Sequence, residues 1–260
     1  GNDNHNPPSS YRSPQLNYYF NFNYPNDYTY LYAYYMFYGY ARHAYTEFIV
    51  NASEMKAAGL CAGPIDAMSL KFVENNTNWD ARFRIFMKNY GSRSTIGYSG
   101  NSGGSPFNRL QAIKRVGTSV VADDDASEVY DNSSWTMTIK PYNEEGYWED
   151  WEFNKDQFIW DGSSNIIIGL YRCNNDNMGN SYFTNRFFVT HVRPPNPTTY
   201  ISYFGYWNWH SAYTYNYPWY GKNCYQFSNT FYPNKHYDYY YNYQTRRRYY
   251  GAYRPMIRLR

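Results

Sequence analysis

Hydrophobic and polar residues alternate with a period of two along several short segments in the middle of the chain. A strand that buries one face and exposes the other to solvent produces this alternation. We therefore expect strands with one buried face and one solvent-exposed face in these segments. Their apolar positions are Met68, Leu70 and Phe72; Phe83, Ile85 and Met87; and Trp135, Met137 and Ile139.

Residues 166–170 are apolar at nearly every position, which indicates a central strand covered on both faces. Residues 187–189 and 201–206 predict further strands, and turn-forming residues such as Asp161-Gly162 separate the runs. Many short strands with turns between them predict an all-β domain, a β-sandwich or jelly roll.

One short helix is expected at about residues 52–58 of this all-β domain. Asn51 is a good N-cap, Glu54 stands three residues later as in a capping box, and Gly59 ends the turn.

The two ends of the chain differ from its middle in composition. Of 260 residues, 36 are tyrosine, and the tyrosine-rich segments lie in the flanks. Disordered chains are poor in aromatic residues, whereas tyrosine suits contact surfaces. We divide the chain into a Tyr/Asn-rich N-terminal arm (1–45), a β-sandwich core (46–192) and an aromatic-rich segment (193–260) that completes the sandwich or contacts neighbours.

The net charge and the hydropathy of the chain argue against a nucleic-acid partner and against a membrane span. A net charge of +3 is too small for the electrostatic footprint of a nucleic-acid binder, and no run is long and apolar enough to span a membrane. The sequence starts at Gly1 without a signal peptide, as a processed mature chain would. We expect an extracellular or cell-surface location. Three distant cysteines allow one disulfide and one free thiol, in a pairing that sequence does not assign.

A family resemblance rests on the order of segments 45–59, 83–87, 135–139, 158–168 and 254–258. They include the run Phe-Ile-Trp-Asp-Gly-Ser-Ser-Asn and the closing Arg-Pro-Met-Ile-Arg. This order resembles the β-sandwich modules of secreted Bacteroidota surface proteins, over about residues 45–190 and the last strand. The resemblance implies an extracellular sandwich with an adhesive, structural or carbohydrate-related role, and it implies no catalytic residues.

Motifs for catalysis are missing from the sequence, and we expect that the protein is not an enzyme. None of the five histidines has a zinc-binding spacing, and no nucleophile elbow, P-loop or dinucleotide fingerprint occurs. The acidic cluster at 144–152 lies beside two tryptophans, as in glycosidases, but a solvated acidic loop between strands explains it without chemistry. No cofactor is expected apart from calcium, for which the oxygen-rich candidates are Asp123, Asp124 and Asp125 in one loop and Asp176 in another.

Two functions remain open for the aromatic segments. The first is a structural subunit of a self-assembling extracellular filament or appendage, whose partners are copies of itself. The alternative is a carbohydrate-binding or adhesin module for surface glycans, in which Trp207, Trp209 and Trp219 would bind the ligand. The subunit contacts expected under the first hypothesis are Tyr18, Tyr19, Phe20, Tyr34, Tyr35, Tyr239, Tyr240, Tyr241 and Arg247.

Overall fold

The computed structural model describes residues 16–17, 43–75, 79–94, 111–116, 119–174, 185–187, 189–191, 202–207 and 253–260. These residues form mostly antiparallel strands and one short helix, α1 (Ala52–Ala57). The all-β prediction with a single short helix is therefore confirmed. The described strands are β1 (Leu16–Asn17), β2 (His43–Val50), β3 (Gly63–Ile65), β4 (Ala67–Asn75), β5 (Trp79–Asn89), β6 (Ile113–Val116), β7 (Ser119–Ala122), β8 (Ala126–Met137), β9 (Tyr147–Glu152), β10 (Phe158–Trp160), β11 (Ile166–Asn174), β12 (Asn185–Phe187), β13 (Val189–His191), β14 (Ser202–Trp207), β15 (Tyr253–Pro255) and β16 (Ile257–Leu259).

Two five-stranded sheets carry the fold. Sheet I has the order β14-β2-β11-β5-β8, and the predicted central strand β11 lies in its middle. In sheet II, β4 pairs with β9 on one side and with β16 and β12 on the other, and β1 continues the sheet beyond β16. Three two-stranded pairs complete the described structure, namely β3–β10, β6–β7 and β13–β15.

The main hydrophobic core joins residues of sheet I to residues of sheet II. Alternate residues of each strand face this core, because successive side chains of a strand point to opposite faces. The apolar positions predicted for the three alternating segments are buried here, with the exception of Ile139. Sheet I supplies Phe48, Phe83, Ile85, Met87, Ile168 and Leu170, and sheet II supplies Met68, Leu70, Phe72, Trp151, Ile257 and Leu259.

A second, outer core lies on the opposite face of sheet I. Sheet residues such as Tyr45, Phe86 and Tyr171 pack there against Ile113 and Val120 of the β6–β7 hairpin. The expectation of a solvent-exposed face on β5 was therefore wrong. The alternation on β5 does exist, but the segment leading into β8 folds over the face that carries Arg84 and excludes water from it.

Two further differences from the sequence expectations concern strand ends. Ile139 is 57% exposed because β8 ends at Met137, two residues before it. Residues 147–152 form strand β9, which pairs with β4 along its length, so the interpretation of the whole acidic cluster as a loop was wrong.

The helix α1 is capped as its sequence predicted. The Glu54 carboxylate accepts a hydrogen bond from the backbone N–H of Asn51 at 2.9 Å. The backbone N–H of Ala52 donates to the side-chain oxygen of Asn165 at 2.8 Å. This second bond ties the start of the helix to the turn that precedes β11.

Candidate functional site

The first and last of the described strands lie side by side in sheet II. Leu16 and Asn17 of β1 pair with Leu259 and Arg258 of β16. On its other side β16 pairs with β4, and Arg260 continues this pairing, because its backbone N–H donates to the carbonyl of Ala67 at 3.1 Å. Strand β16 is thus held by backbone hydrogen bonds and by two side chains buried in the main core.

Most residues proposed for subunit or ligand contacts lie outside the described residues. This applies to all of the proposed subunit contacts and to Asp176. Trp209 and Trp219 of the alternative site also lie outside them, whereas Trp207 ends β14 opposite His43 of β2. The residues outside the described ranges are Tyr18, Tyr19, Phe20, Tyr34, Tyr35, Asp176, Trp209, Trp219, Tyr239, Tyr240, Tyr241 and Arg247.

The loop at 123–125, which was the calcium candidate, forms ion pairs with two lysine side chains of the same chain. Asp123 lies 2.7 Å from the ammonium nitrogen of Lys88, and Asp125 lies 3.7 Å from the same nitrogen. Asp124 pairs with Lys114 instead. Within the described ranges no three acidic, histidine or cysteine side chains converge as metal ligands would. The calcium site stays a prediction, and the loop's observed role is to fasten the β6–β7 hairpin to β5.

An arginine and a tryptophan stack on the outer face of sheet II. The guanidinium carbon of Arg258 on β16 lies 3.8 Å from the ring centre of Trp148 on β9. The ammonium nitrogen of Lys71 on β4 lies 5.8 Å from the same ring. Such cation–π contacts stabilise a pair in proportion to its desolvation. Sequence analysis missed this cluster, because its members are brought together only by strand pairing.

The acidic residues of β9 project to alternate faces and bind different partners. Glu149 lies 3.4 Å from the ammonium nitrogen of Lys140, and its partial burial raises its pKa above the ordinary value. Asp150 accepts a hydrogen bond from the hydroxyl of Ser69 at 2.5 Å on the other face. Glu152 pairs with Arg260. The cluster therefore fastens β9 to its neighbours in sheet II.

The Asp-Gly-Ser-Ser-Asn turn has an evident structural role. Asp161 accepts backbone hydrogen bonds from Ser163 at 2.7 Å and Ser164 at 2.6 Å. The hydroxyl of Ser164 donates to the same carboxylate at 2.5 Å. These donors, the Ser164 hydroxyl above all, lower the pKa of Asp161 to about 2. The turn is an Asx-type cap between β10 and β11.

A fully buried carboxyl group lies in the outer core. Glu47 on β2 accepts a hydrogen bond from the hydroxyl of Tyr45 at 2.9 Å. It also accepts backbone N–H bonds from Gln111 at 3.0 Å and from Ala112 at 3.4 Å. Glu47 therefore joins sheet I to the segment that leads into the β6–β7 hairpin.

The surroundings of Glu47 make its ionisation costly. Burial, the largest effect, raises its pKa to about 7, although the hydrogen bonds from Gln111, Tyr45 and Ala112 oppose the change. In the part of the chain that the structure describes, no lysine or arginine forms an ion pair with Glu47. Sequence analysis did not single this residue out, and its signal was one acidic residue inside a run of otherwise buried positions.

The cysteines fall into two classes. Cys173 is buried in the outer core and is disulfide-bonded. Cys61 is exposed and carries a free thiol. One disulfide and one free thiol were the arrangement that the cysteine count allowed.

The chain was compared with known protein families, curated proteins and solved structures. No family model matches the chain, and neither a curated protein nor a solved structure is significantly similar to it. No helix in the described residues is long and apolar enough to cross a membrane.

Proposed function

We propose that the protein is a structural subunit of an extracellular filament or surface appendage, assembled through its aromatic-rich terminal segments. The observation that carries the proposal is the pairing of β1 with β16 at one side of sheet II. Both tyrosine-rich flanks border these two strands in the sequence. An interface at this side of the sheet would bring the two flanks of neighbouring copies together.

The described residues of the main core all lie at Phe48 or later, so a domain without residues 1–30 keeps them. In the described residues, strand β1 pairs with β16 through Leu16 and Asn17. Strand β16 buries Ile257 and Leu259 in the main core. Under this proposal the arm contacts a neighbouring copy, and a strand added at a sheet edge forms a head-to-tail contact that extends into a fibre.

An oxidising compartment suits the cysteine chemistry. Cytosolic proteins rarely keep a structural disulfide, whereas proteins on cell surfaces commonly do. The disulfide at Cys173, buried within a core, supports the extracellular part of the proposal.

Negative-stain electron microscopy of the purified full chain, with its mass in solution, tests the proposal. We expect regular filaments from the full chain. A variant that lacks residues 1–30 loses β1 but keeps the main core, so we expect a folded, soluble monomer. Filaments from the truncated variant would contradict a role for the arm in assembly.

A substitution pair separates aromatic contacts from a general loss of apolar surface. Replacing Tyr18, Tyr19, Tyr34 and Tyr35 with serine removes aromatic groups from the arm and is expected to abolish filaments. The matched control replaces three exposed apolar side chains of the described domain with serine and is expected to keep them. These control positions are Ile139, Tyr142 and Ile159.

The alternative function is a carbohydrate-binding or adhesin module. The observation that favours it is the position of Trp207 at the end of β14, an edge strand of sheet I, within the run Trp-Asn-Trp-His. Aromatic side chains at such an edge suit stacking on sugar rings. A monodisperse monomer that binds on a glycan array, and loses binding in Trp207→Ala and Trp209→Ala with its fold intact, would establish this function instead.

A further inference from the structure

The β6–β7 hairpin covers sheet I through an apolar contact and a small number of polar anchors. Its apolar residues Ile113 and Val120 are buried in the outer core. One polar anchor is the ion pair between Lys88 and Asp123. A second is the guanidinium group of Arg84, which donates to the carbonyl of Val120 on β7 at 2.8 Å. A third is Glu47, whose carboxyl group accepts hydrogen bonds from the backbone N–H groups of Gln111 and Ala112 just before β6.

The Lys88–Asp123 ion pair and the Glu47 carboxyl group differ in their access to water. The ion pair of Lys88 and Asp123 lies at the rim, where both side chains are partly exposed. Glu47 is completely buried, and its charge is therefore removed from water whenever the hairpin is closed. Opening the hairpin would return the carboxyl group to water, so closure and proton binding at Glu47 are thermodynamically linked.

We propose that Glu47 is a proton-dependent anchor, which holds the β6–β7 hairpin on sheet I when protonated and loosens it when ionised. The complete burial of the carboxyl group favours its neutral form. The hydroxyl of Tyr45 and the backbone N–H groups of Gln111 and Ala112 all donate to one carboxyl oxygen, Oε2. The other oxygen, Oε1, lies 3.2 Å from the Gln111 nitrogen, whose N–H is closer to Oε2, so a proton on Oε1 disturbs the fewest of these hydrogen bonds.

Among the described residues, the charged groups around Glu47 provide no ion-pair partner for its carboxylate. The cations of the neighbouring elements already pair with other carboxylates, Arg84 with Glu128 at 2.6 Å, Lys88 with Asp123, and Lys114 with Asp124. The negative charge of Asp123 itself disfavours ionisation of Glu47. The described residues of the surrounding elements contribute these titratable and charged groups: Tyr45 on β2, Arg84, Lys88 and Tyr90 on or just after β5, Lys114, Asp123, Asp124 and Asp125 on or beside the hairpin, Glu128 on β8, Tyr171 on β11, and Tyr203, opposite Glu47 on β14.

The sign of the pH effect follows from the two states. With the hairpin closed, the pKa of Glu47 is about 7, compared with an ordinary value of 4.5 once the group is in water. Closure is therefore strongest below the ordinary value and weakens as the pH rises towards the closed-state value. Above the closed-state pKa, Glu47 is ionised in both states, and its contribution to closure no longer changes with pH. Linkage between these two values raises the opening constant roughly 70-fold from pH 5 to pH 8.

Hydrogen–deuterium exchange of the full chain, read by mass spectrometry for a peptide spanning residues 111–116, measures this opening. After correction for the intrinsic exchange rate, we expect faster opening with rising pH and a plateau near pH 8. Glu47→Gln keeps a hydrogen-bond acceptor but cannot ionise, so its corrected rate should not change with pH. A wild-type rate that is flat or falls with pH would overturn the proposal.

Asp123→Asn is the matched control, because it weakens a different anchor. We expect faster opening at every pH and a rate that still rises with pH, with its bend at a somewhat lower pH because the charge of Asp123 no longer disfavours ionisation of Glu47. Equal pH dependence in Glu47→Gln and wild type would assign the effect to another group and overturn the proposal. If Glu47→Gln does not fold, an NMR titration of the Glu47 carboxyl carbon decides, since the proposal requires its midpoint to match the bend in the exchange profile.

Discussion

The hydroxyl of Tyr45 occupies the space above Gly169, where a β-carbon would stand closer to it than van der Waals contact allows. The two residues lie on adjacent strands of sheet I, and Gly169 pairs directly with Glu47. Because Gly169 has no side chain, the hydroxyl of Tyr45 can reach the buried carboxyl group of Glu47. The hydrogen bond between Tyr45 and Glu47 therefore depends on a glycine at position 169.

Gly169→Ala is expected to destabilise the domain by displacing the Tyr45 hydroxyl from Glu47. We expect a loss of about 2–4 kcal/mol in the free energy of unfolding, from steric strain and a weakened buried hydrogen bond. Urea denaturation measures it. Tyr45→Phe removes the clashing hydroxyl, so the double variant should lose less than the sum of the two single losses. Strict additivity would contradict this coupling.

Alanine substitutions at two glycines with positive φ distinguish the cost of backbone strain from the cost of a steric clash. Gly162 has φ of +77°, and a β-carbon there would lie 2.7 Å from that of Ala62. Gly91 has φ of +60° with open space around it. Gly91→Ala should therefore cost about 1–2 kcal/mol from strain alone, and Gly162→Ala about 2–4 kcal/mol. Urea denaturation compares the two variants, and equal losses would show that Ala62 yields without cost.

The strands of the main core could be predicted because their signal is local. In β4 and β5, every second residue belongs to the main core, and β11 is apolar on both faces, so each pattern is complete within one segment. The helix α1 was also predictable, since Asn51 and Glu54 of its cap stand only three residues apart.

The outer core and its buried carboxyl group could not be predicted in the same way. Glu47 receives its backbone hydrogen bonds from residues 64 and 65 positions later in the chain. Arg84 looked like a solvent-facing residue, but its guanidinium group pairs with Glu128 and lies 4.8 Å from the ring centre of Phe86. Which charged residues are covered depends on where the β6–β7 hairpin folds, and no local period reports that.

The carboxyl group of Asp161 is expected to titrate at about pH 2 in the native protein. Because the native pKa lies below the ordinary value of 3.8, the turn stabilises the fold above that value, and this contribution disappears as the pH falls through 2. NMR titration of the carboxyl carbon measures it. Ser164→Ala should raise the pKa more than Ser163→Ala, whose hydroxyl bond is longer at 3.1 Å. Equal shifts would contradict this ranking.

The disulfide at Cys173 is expected to hold the outer core to the rest of the chain. Denatured, unreduced protein should react with a thiol reagent at one site per chain, and Cys61→Ser should abolish the reaction, since Cys61 has the free thiol. More than one reactive thiol per wild-type chain would contradict the disulfide.

Reduction then tests what the disulfide stabilises. Cys173 lies on β11 in the outer core with Tyr171 and Ile167, so reduction removes a covalent link from that core. Removing a disulfide typically costs about 2–4 kcal/mol, and we expect Cys173→Ser to lower the Tm accordingly. Cys61→Ser is the matched control, because its exposed side chain can be replaced without loss of packing. A Tm equal to that of the control would place the disulfide outside the cooperative unit that contains the outer core.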